Sequence, residues 1–164
     1  MKIYNGTSII LQSAWSEPDS VISTDSCLSG CGGYASTLGE FFHAAFPPLI
    51  SEQGMDINAL ELLTVVVALK LWAPRLHGHR VQLYCDNQTS VQVICSGRAK
   101  NQFLCSCLRE IAFLCATNEM ELRVLHVDTH SNRLSDLLSR AHIFSQYLEQ
   151  FLHEVGQPIR EVGV

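Results

Sequence analysis

The sequence lacks several features that define whole classes of protein. No run of about eighteen apolar residues is free of charge, because Lys70 and the Arg75 region interrupt the richest apolar stretch. The N-terminal segment MKIYNGTSIILQ has no apolar core of the length that a secretory signal needs. Internal repeats and low-complexity tracts are missing as well. These absences predict a globular protein with no membrane partner.

Positive charge is scarce. The 164 residues include 11 Lys+Arg and 16 Asp+Glu, which gives a formal net charge of −5. Proteins that bind nucleic acid through general attraction to phosphate are normally basic. The composition argues against a binder of that simple kind, unless the acids gather where metal ions neutralise them. With 47% hydrophobic and 16% charged residues, the chain has the composition of one folded domain.

The cysteines follow neither a zinc pattern nor a disulfide framework. There are seven, an odd number, and they lie in apolar segments such as FLCSCLREIAFLC. The spacings Cys27-x3-Cys31 and Cys105-x-Cys107 are not those of a structural zinc pair. We therefore predict reduced thiols packed as small hydrophobic residues, and a cytoplasmic or nuclear location.

Hydrophobic periodicity predicts an α/β domain. Three strand-like segments linked by short turns come first, VISTD at 21–25 and two runs within YASTLGEFFHAAFP. A helix from Asp56 to His77 follows, then a strand at 80–86, two helices and a strand at 121–127. With a final helix, the order β-β-β-α-β-α-α-β-α predicts a mixed five-stranded sheet. Three strands would be antiparallel and two parallel, with helices on both faces.

The same pattern sets the predicted domain boundaries. The final helix is expected from about Arg133 to Glu154. Residues 1–20 are predicted to form an N-terminal extension, residues 21–155 the folded domain, and residues 156–164 a flexible tail.

Four acidic residues fall at element ends that the predicted fold would bring together. Asp25 ends the first strand and Asp86 ends the fourth. Because a crossover connection makes these strands parallel, both residues should lie at one edge of the sheet. Glu61 lies one turn into the long helix, within the otherwise apolar NALELLTVVVALKLW, and Asp136 lies in the first turn of the last helix. A carboxylate in such apolar surroundings needs a partner, a cap or a metal ion.

Helix capping offers a simpler interpretation of two of these acids. Glu61 could close a capping box with Asn58, since the N-x-x-E spacing is right. The Asp86-Asn87 pair could cap the helix that follows it.

The other two acids also have structural alternatives. Asp25 could be a turn residue, and Asp136 could be an acid favoured by a helix N-terminus. No single alternative explains all four acids in this order. Clustered carboxylates without histidine or thiolate at ligand spacing favour a hard cation, Mg²⁺ or Mn²⁺.

The acid-bearing segments resemble ribonuclease H. More specifically, NALELLTVVVALKLW, VQLYCDNQTSVQVICSG and RLSDLLSR are similar to the ribonuclease H domain of tyrosine-recombinase retrotransposons, the DIRS and Ngaro-like elements. The resemblance covers roughly residues 4–142. The sequence departs from that pattern in the turn TDSCLSGCGG and in the loop HVDTHSNRLSD. In that loop Asp128 and Thr129 replace a proline and a glycine, and Ser135 replaces an alanine.

The resemblance implies a metal-dependent endonuclease that cleaves the RNA strand of RNA/DNA hybrids, leaving 5′-phosphate and 3′-hydroxyl ends. The four acids would hold two Mg²⁺ ions, for which Mn²⁺ could substitute. Asp25 would bridge both ions, and Asp136 would complete the ion that holds the nucleophilic water. Glu61 and Asp86 would hold the ion at the leaving 3′ oxygen, with Glu61 also near a ribose 2′-hydroxyl.

The resemblance also implies a catalytic histidine and a set of substrate-binding residues. His126 lies ten residues before Asp136, the spacing of the family's mobile histidine, and His130 is the competing candidate. Asn58 as a simple helix cap remains an open alternative to substrate binding. The expected substrate-binding residues are Ser26, Asn58, Asn87, Gln88 and Asn132.

The expected partners are an RNA/DNA hybrid and an adjacent reverse transcriptase in the same polyprotein. Arg98 and Lys100 form only a small basic patch, which predicts weak hybrid binding by the domain alone. Two other functions stay open. One is an inactive or host-recruited domain that binds nucleic acid or protein, and the other is a related nuclease, such as a transposase or junction resolvase, that cuts DNA.

Overall fold

A six-stranded mixed sheet forms the centre of the protein. The computed structural model describes residues 17–164, so most of the predicted N-terminal extension lies outside the described residues. The sheet order is β5-β4-β1-β2-β3-β6. The strands are β1 (Ser20–Ser26), β2 (Gly30–Ala35), β3 (Glu40–Ala45), β4 (Arg80–Cys85), β5 (Glu121–His126) and β6 (Arg160–Glu161).

The strand directions confirm the predicted mixed sheet. Strands β1, β2 and β3 form an antiparallel meander, whereas β4 runs parallel to β1 and β5 runs parallel to β4. The sixth strand, β6, pairs in parallel with β3 and was not predicted. The helices are α1 (Pro48–Ser51), α2 (Ile57–Trp72), α3 (Gln88–Ser96), α4 (Gln102–Thr117), α5 (Arg133–Arg140) and α6 (Ser145–Val155).

Helices cover both faces of the sheet, as predicted. Successive strand residues point to opposite faces, and the adjacent Phe41 and Phe42 show this directly. Phe42 belongs to the larger apolar core, which includes much of α2, whereas Phe41 belongs to a smaller core with Leu138 and Phe151. The two cores fix α2 on one face and α5 with α6 on the other.

Helix α2 is the central core helix. Its apolar residues lie all round its axis, and ten of its sixteen residues are buried, because it packs against the sheet, α3 and α4. With the 3-10 turn that follows, the segment Ile57–Arg75 is by length and composition apolar enough to cross a membrane. However, 61% of its apolar window is buried inside the fold, as in the core helix of a globular protein.

The prediction of one final helix from Arg133 to Glu154 is wrong. The chain forms two helices, α5 and α6, separated at residues 141–144. The break lets α6 turn so that Phe151 packs against Tyr34 and Phe41, with ring centroids 5.6 Å and 5.0 Å apart. Neither proline nor glycine occurs at the break, so the sequence gives no ordinary signal for it.

The segment predicted as a flexible tail contributes to the sheet. Arg160 and Glu161 of β6 pair with Glu40 and Phe41 of β3. Glu40 is buried, and the Arg160 guanidinium binds its carboxylate. Arg75 binds the same carboxylate through Nη1 at 2.7 Å, and Trp72 donates to it through Nε1 at 3.1 Å. Residues after α6 are therefore tied to the end of the core helix.

Candidate metal centre

The parallel pairing of β1 and β4 brings two acids side by side. In the register of these strands Thr24 lies opposite Cys85. Asp25 follows Thr24 within β1, and Asp86 is the first residue after β4. The two carboxylates therefore leave the same edge of the sheet, where ligands of open α/β sheets bind.

Glu61 joins these two acids from α2. It is the fifth residue of that helix. One carboxylate oxygen from each of Asp25, Glu61 and Asp86 lies within 4.8 Å of the others. Asp25 and Glu61 are buried, while Asp86 is partly exposed. The backbone N–H of Ser26 donates to Glu61 Oε1 at 3.2 Å and fixes the side chain at the end of β1.

Burial without a cation strongly raises the pKa values of Asp25 and Glu61. Burial raises the pKa of Glu61 to about 9, and the negative charge of Asp25 adds to the rise while the Ser26 N–H opposes it. Burial also raises the pKa of Asp25 to about 7. The Ser139 hydroxyl opposes this second rise, and the charges of Asp86 and Asp136 add to it. Within residues 17–164 no lysine or arginine forms an ion pair with Asp25 or Glu61.

The donor atoms of the cluster are hard oxygens. Cys85 lies beside it, with Sγ 3.9 Å from Glu61 Oε2, but burial raises the pKa of its thiol far above neutrality. A neutral thiol is a poor metal ligand. The cluster therefore offers carboxylate oxygens alone, the ligands that Mg²⁺, Mn²⁺ and Ca²⁺ prefer.

Asp136 lies next to the cluster rather than within it. Helix α5 packs directly on β2 at Gly32, where a Cβ atom would lie 2.4 Å from Leu138 Cβ. This close approach, which a glycine permits, brings Asp136 near enough for its charge to raise the pKa of Asp25. Its Oδ1 atom, however, forms an ion pair with Arg140 Nη2 at 2.8 Å. The structure thus brings three of the four predicted acids into one group and leaves the fourth at its side.

The two candidate histidines lie at the end of β5 and in the turn that follows it. His126 is the last residue of β5, and its Nε2 atom donates to the backbone carbonyl of Asp86 at 3.1 Å. Its side chain is exposed. His130 is also exposed and lies in the following turn. His126 is therefore linked directly to an acid-bearing segment.

Two predicted substrate-binding asparagines bind each other beside the cluster. Asn87 Nδ2 donates to Asn58 Oδ1 at 2.9 Å. Asn87 also caps α3, because its Oδ1 accepts from Ser90 N at 2.8 Å, which confirms the capping interpretation for this residue. Asn58 does not cap α2, since Asp56 does so by accepting from Ala59 N at 2.8 Å. The capping box of Asn58 and Glu61 is therefore not formed.

The other predicted substrate-binding residues differ in exposure. Gln88 is exposed at the start of α3. Ser26 is buried, and its hydroxyl has no partner among the described residues. Asn132 is also buried and donates through Nδ2 to the Thr24 carbonyl at 3.0 Å. Asn132 thus ties the loop before α5 to the strand that carries Asp25.

The loop before α5 is held by contacts of Asp128 and Ser135, two residues that depart from the pattern the sequence resembles. Asp128 accepts hydrogen bonds from Ser131 N at 2.9 Å and from Ser131 Oγ at 2.8 Å. Ser135 Oγ donates to Ser23 Oγ at 2.7 Å and joins α5 to β1. These polar contacts replace the rigidity that proline would give.

Two residues of the site were missed by sequence analysis. They are Arg140, which pairs with Asp136, and Ser139, whose hydroxyl lies near Asp25. The spacing of Asp136 and Arg140, four residues apart on a helix, was a signal that could have identified the pair.

Asn58, which precedes Glu61 by three residues on α2, lines a groove of about 900 Å³. It runs between the start of α2, the outer side of α3 and the start of α4. Arg98 and Lys100 line it together with polar residues that include Gln92 and Asn101. The small basic patch identified in the sequence therefore lines the same groove as Asn58, the hydrogen-bond partner of Asn87.

Comparison with known proteins identifies the fold. No protein-family profile matches the sequence, and no curated protein matches it. Among solved structures, the chain is similar to the RNase H1 of the halophilic archaeon Halobacterium salinarum NRC-1. The TM-score is 0.58 at 14% identity, over 76% of this chain and 96% of that one. It is also similar to LC11-RNase H1, isolated from compost by a metagenomic approach, with a TM-score of 0.51 at 15% identity, over 81% and 97% of the two chains.

The protein has the ribonuclease H fold. This confirms the fold class predicted from the sequence, with six strands rather than five. Within this ribonuclease H fold, the group of Asp25, Glu61 and Asp86 is compatible with a divalent metal ion. The fit rests on three carboxylate oxygen donors, on the burial of Asp25 and Glu61, and on the absence of an ion pair between these two acids and any lysine or arginine among residues 17–164.

Proposed function

We propose that this protein is a metal-dependent endonuclease that hydrolyses the RNA strand of RNA/DNA hybrids. The observation that carries the proposal is the group of Asp25, Glu61 and Asp86, whose carboxylate oxygens lie within 4.8 Å of one another in a ribonuclease H fold. A buried carboxylate pair without a cation is unfavourable. Such an arrangement is typical of a site where an incoming cation completes the charge balance.

The proposed metal ligands are the four acids predicted from the sequence. Asp25, Glu61 and Asp86 would hold one Mg²⁺ ion, and Asp25 together with Asp136 would hold a second. When bound, the ions would supply an activated water and stabilise the leaving 3′ oxygen. Mn²⁺, which takes the same oxygen ligands, is expected to substitute.

The chain's own residues would then position the substrate and move protons. His126 is exposed and bonded to the Asp86 backbone, which suits a side chain that exchanges protons with solvent near the reacting phosphate. The Asn58–Asn87 pair and the exposed Gln88 offer amides to a sugar or phosphate at the cluster. The groove with Arg98 and Lys100 would receive the hybrid beyond the cut.

The proposed biological setting is a retrotransposon polyprotein in the cytoplasm or nucleus, with a reverse transcriptase next to this domain. The three motifs that resemble the DIRS and Ngaro-like domains support it, as does the small number of basic residues. A domain with few phosphate contacts needs a neighbour to hold the hybrid. We expect this chain alone to bind hybrid with a dissociation constant above about 10⁻⁷ M, and tighter binding in a salt titration would argue against the proposed neighbour.

The cleavage of a labelled RNA/DNA hybrid tests the proposed activity. We expect cleavage in Mg²⁺ or Mn²⁺, with little or none of duplex DNA or duplex RNA. Asp86→Asn removes one ligand charge at nearly constant shape and should lower the rate by about 10³-fold or more, equivalent to about 4 kcal/mol of transition-state stabilisation. Cleavage that persists in EDTA, or in the Asp86→Asn variant, would contradict the proposal.

The alternative proposal is an inactive or host-recruited domain that binds nucleic acid or protein. The pairing of Asp136 with Arg140 and the net negative charge favour it. This alternative predicts hybrid binding without metal-dependent cleavage, so the same assay separates the two. A related nuclease that cuts DNA would be revealed by cleavage in the duplex DNA control.

A further inference from the structure

The four acids of the site differ in how their charge is balanced. Asp136 and Arg140 lie one turn apart on α5, with Asp136 Oδ1 and Arg140 Nη2 2.8 Å apart. Neither Asp25 nor Glu61 has such a partner among residues 17–164. The fourth acid is therefore neutralised by the protein itself, while the other acids are left for an external cation.

The position of Arg140 is fixed by contacts around it. Leu138, two residues earlier, lies against Gly32 of β2 and allows no room for α5 to shift toward the sheet. The carbonyl of Ser139 accepts a hydrogen bond from the Cys27 thiol at 3.3 Å. These contacts fix the backbone at Arg140, whereas its side chain is 47% exposed.

Arg140 also interacts with the cluster itself. Burial lowers the pKa of the Arg140 guanidinium, but the charges of Asp136 and Asp25 raise it, and the pKa lies above its ordinary value. Its charge therefore reaches the acid that would bridge the metal ions. A guanidinium keeps its proton under all ordinary conditions, so it would both repel an incoming divalent cation and compete with it for Asp136.

We propose that Arg140 is a positioning residue that holds Asp136 out of the three-carboxylate group and thereby weakens cation binding. The inference rests on the proposed function in assuming that Asp25, Glu61 and Asp86 bind a divalent cation and that Asp136 can join them as a ligand. The alternative is an ordinary pair four residues apart on a helix surface, with no effect on the site beyond its charge.

A double-mutant cycle with Mn²⁺ distinguishes these two roles. Mn²⁺ affinity would be measured by electron paramagnetic resonance at constant ionic strength for wild type, Arg140→Gln, Asp136→Asn and the double variant. Loss of the Arg140 charge alone should strengthen binding equally whether residue 136 is Asp or Asn. Release of Asp136 as an additional ligand should strengthen binding only when Asp136 is present.

We expect Arg140→Gln to tighten Mn²⁺ binding about tenfold with Asp136 in place and about twofold in the Asp136→Asn background. Equal effects in the two backgrounds would overturn the proposal, and so would an Arg140→Gln variant that binds Mn²⁺ no more tightly than wild type. Arg140→Lys, which keeps a cation near Asp136, should stay close to wild type.

Two controls keep the test independent of folding and of catalysis. Arg133→Gln also removes one positive charge from α5, but Arg133 pairs with Glu154. This variant should change the Mn²⁺ affinity by less than about twofold. Circular dichroism of each variant checks that the fold is retained, and Arg140→Lys provides a second comparison if Arg140→Gln unfolds. The Mn²⁺ binding measurement contains no nucleic acid. Its result is therefore valid even if the protein does not cleave RNA/DNA hybrids. If Glu61→Gln does not weaken Mn²⁺ binding, both the proposed metal centre and this inference fail.

Discussion

Two carboxylates are equally buried in this protein and have opposite surroundings. Glu40 and Glu61 each expose only 3% of their surface. Glu40 is bound by Arg75, Arg160 and Trp72. The Arg75 guanidinium lowers the pKa of this carboxyl to about 2, although burial acts to raise it. Glu61 is surrounded by other acids, and burial raises its pKa to about 9.

Burial alone does not decide the role of an acidic side chain. At Glu40 the protein supplies the compensating cations itself, so the site is structural and connects β3, the end of α2 and β6. At Glu61 the protein supplies a backbone N–H and two more carboxylates, but no cation within the described chain. The first site is complete in the folded protein, whereas the second is compatible with a divalent ion from solution.

The largest expected difference between the two sites is their response to a divalent cation. Mn²⁺ at about 100 times its dissociation constant should raise the free energy of unfolding by about 2.7 kcal/mol. Glu61→Gln should abolish most of this gain, while Glu40→Gln should keep it. Urea denaturation with MnCl₂ and with EDTA measures both. If Mn²⁺ raises the free energy of unfolding equally in Glu61→Gln and Glu40→Gln, the two sites do not differ in cation binding.

A second difference concerns stability in the absence of metal. In EDTA, Glu40→Gln should lower the free energy of unfolding by about 2 kcal/mol, because it removes charge-assisted hydrogen bonds to a buried group. Glu61→Gln, the same chemical change at the same exposed fraction, should leave stability unchanged or raise it. Burial opposes the ionisation of Glu61 in the folded protein, whereas this carboxyl ionises freely in the unfolded chain, and the substitution removes that cost. Urea denaturation of both variants provides the matched comparison. A loss of stability in Glu61→Gln as large as that in Glu40→Gln would show that the acid cluster is structural.

The pH dependence of the Glu40 contribution follows from its lowered pKa. A carboxyl with a folded pKa of about 2 and an ordinary unfolded pKa near 4.5 stabilises the protein above pH 4.5. That contribution is lost as the pH falls toward 2 and is about halved near pH 3. The stability gap between wild type and Glu40→Gln should therefore be constant from pH 6 to 7 and shrink below pH 4. A gap that stays constant to pH 3 would mean that the Arg75 contact is not formed in solution.

The smallest expected effect concerns the segment after α6. The Arg160 side chain is 70% exposed, and Arg75 would still bind Glu40 in its absence. Arg160→Ala should therefore lower the free energy of unfolding by about 0.5–1 kcal/mol. Arg75→Ala is the stronger control, because Arg75 makes the dominant contact with Glu40. No change in Arg160→Ala would favour the flexible tail predicted for residues 156–164.

The sequence predicted much of this fold because its patterns are local. The apolar run of α2, the β-branched and aromatic residues of β4 and the glycines in turns identify elements without reference to their neighbours. The break between α5 and α6 was missed because its cause lies elsewhere, in the packing of Phe151 against Tyr34 and Phe41. Strand β6 was missed for the same reason, since only two residues pair and the partner of Arg160 is distant in sequence.

The residue order fixes which acids stand at the ends of strands and helices, because strand direction and helix phase follow from it. How the charge of each acid is balanced depends on the tertiary fold. Among residues 17–164, the fold places two arginines on Glu40, one on Asp136 and none on Glu61. Charge compensation depends on which side chains meet across the fold, and the contact of Arg160 with Glu40 spans 120 residues of chain.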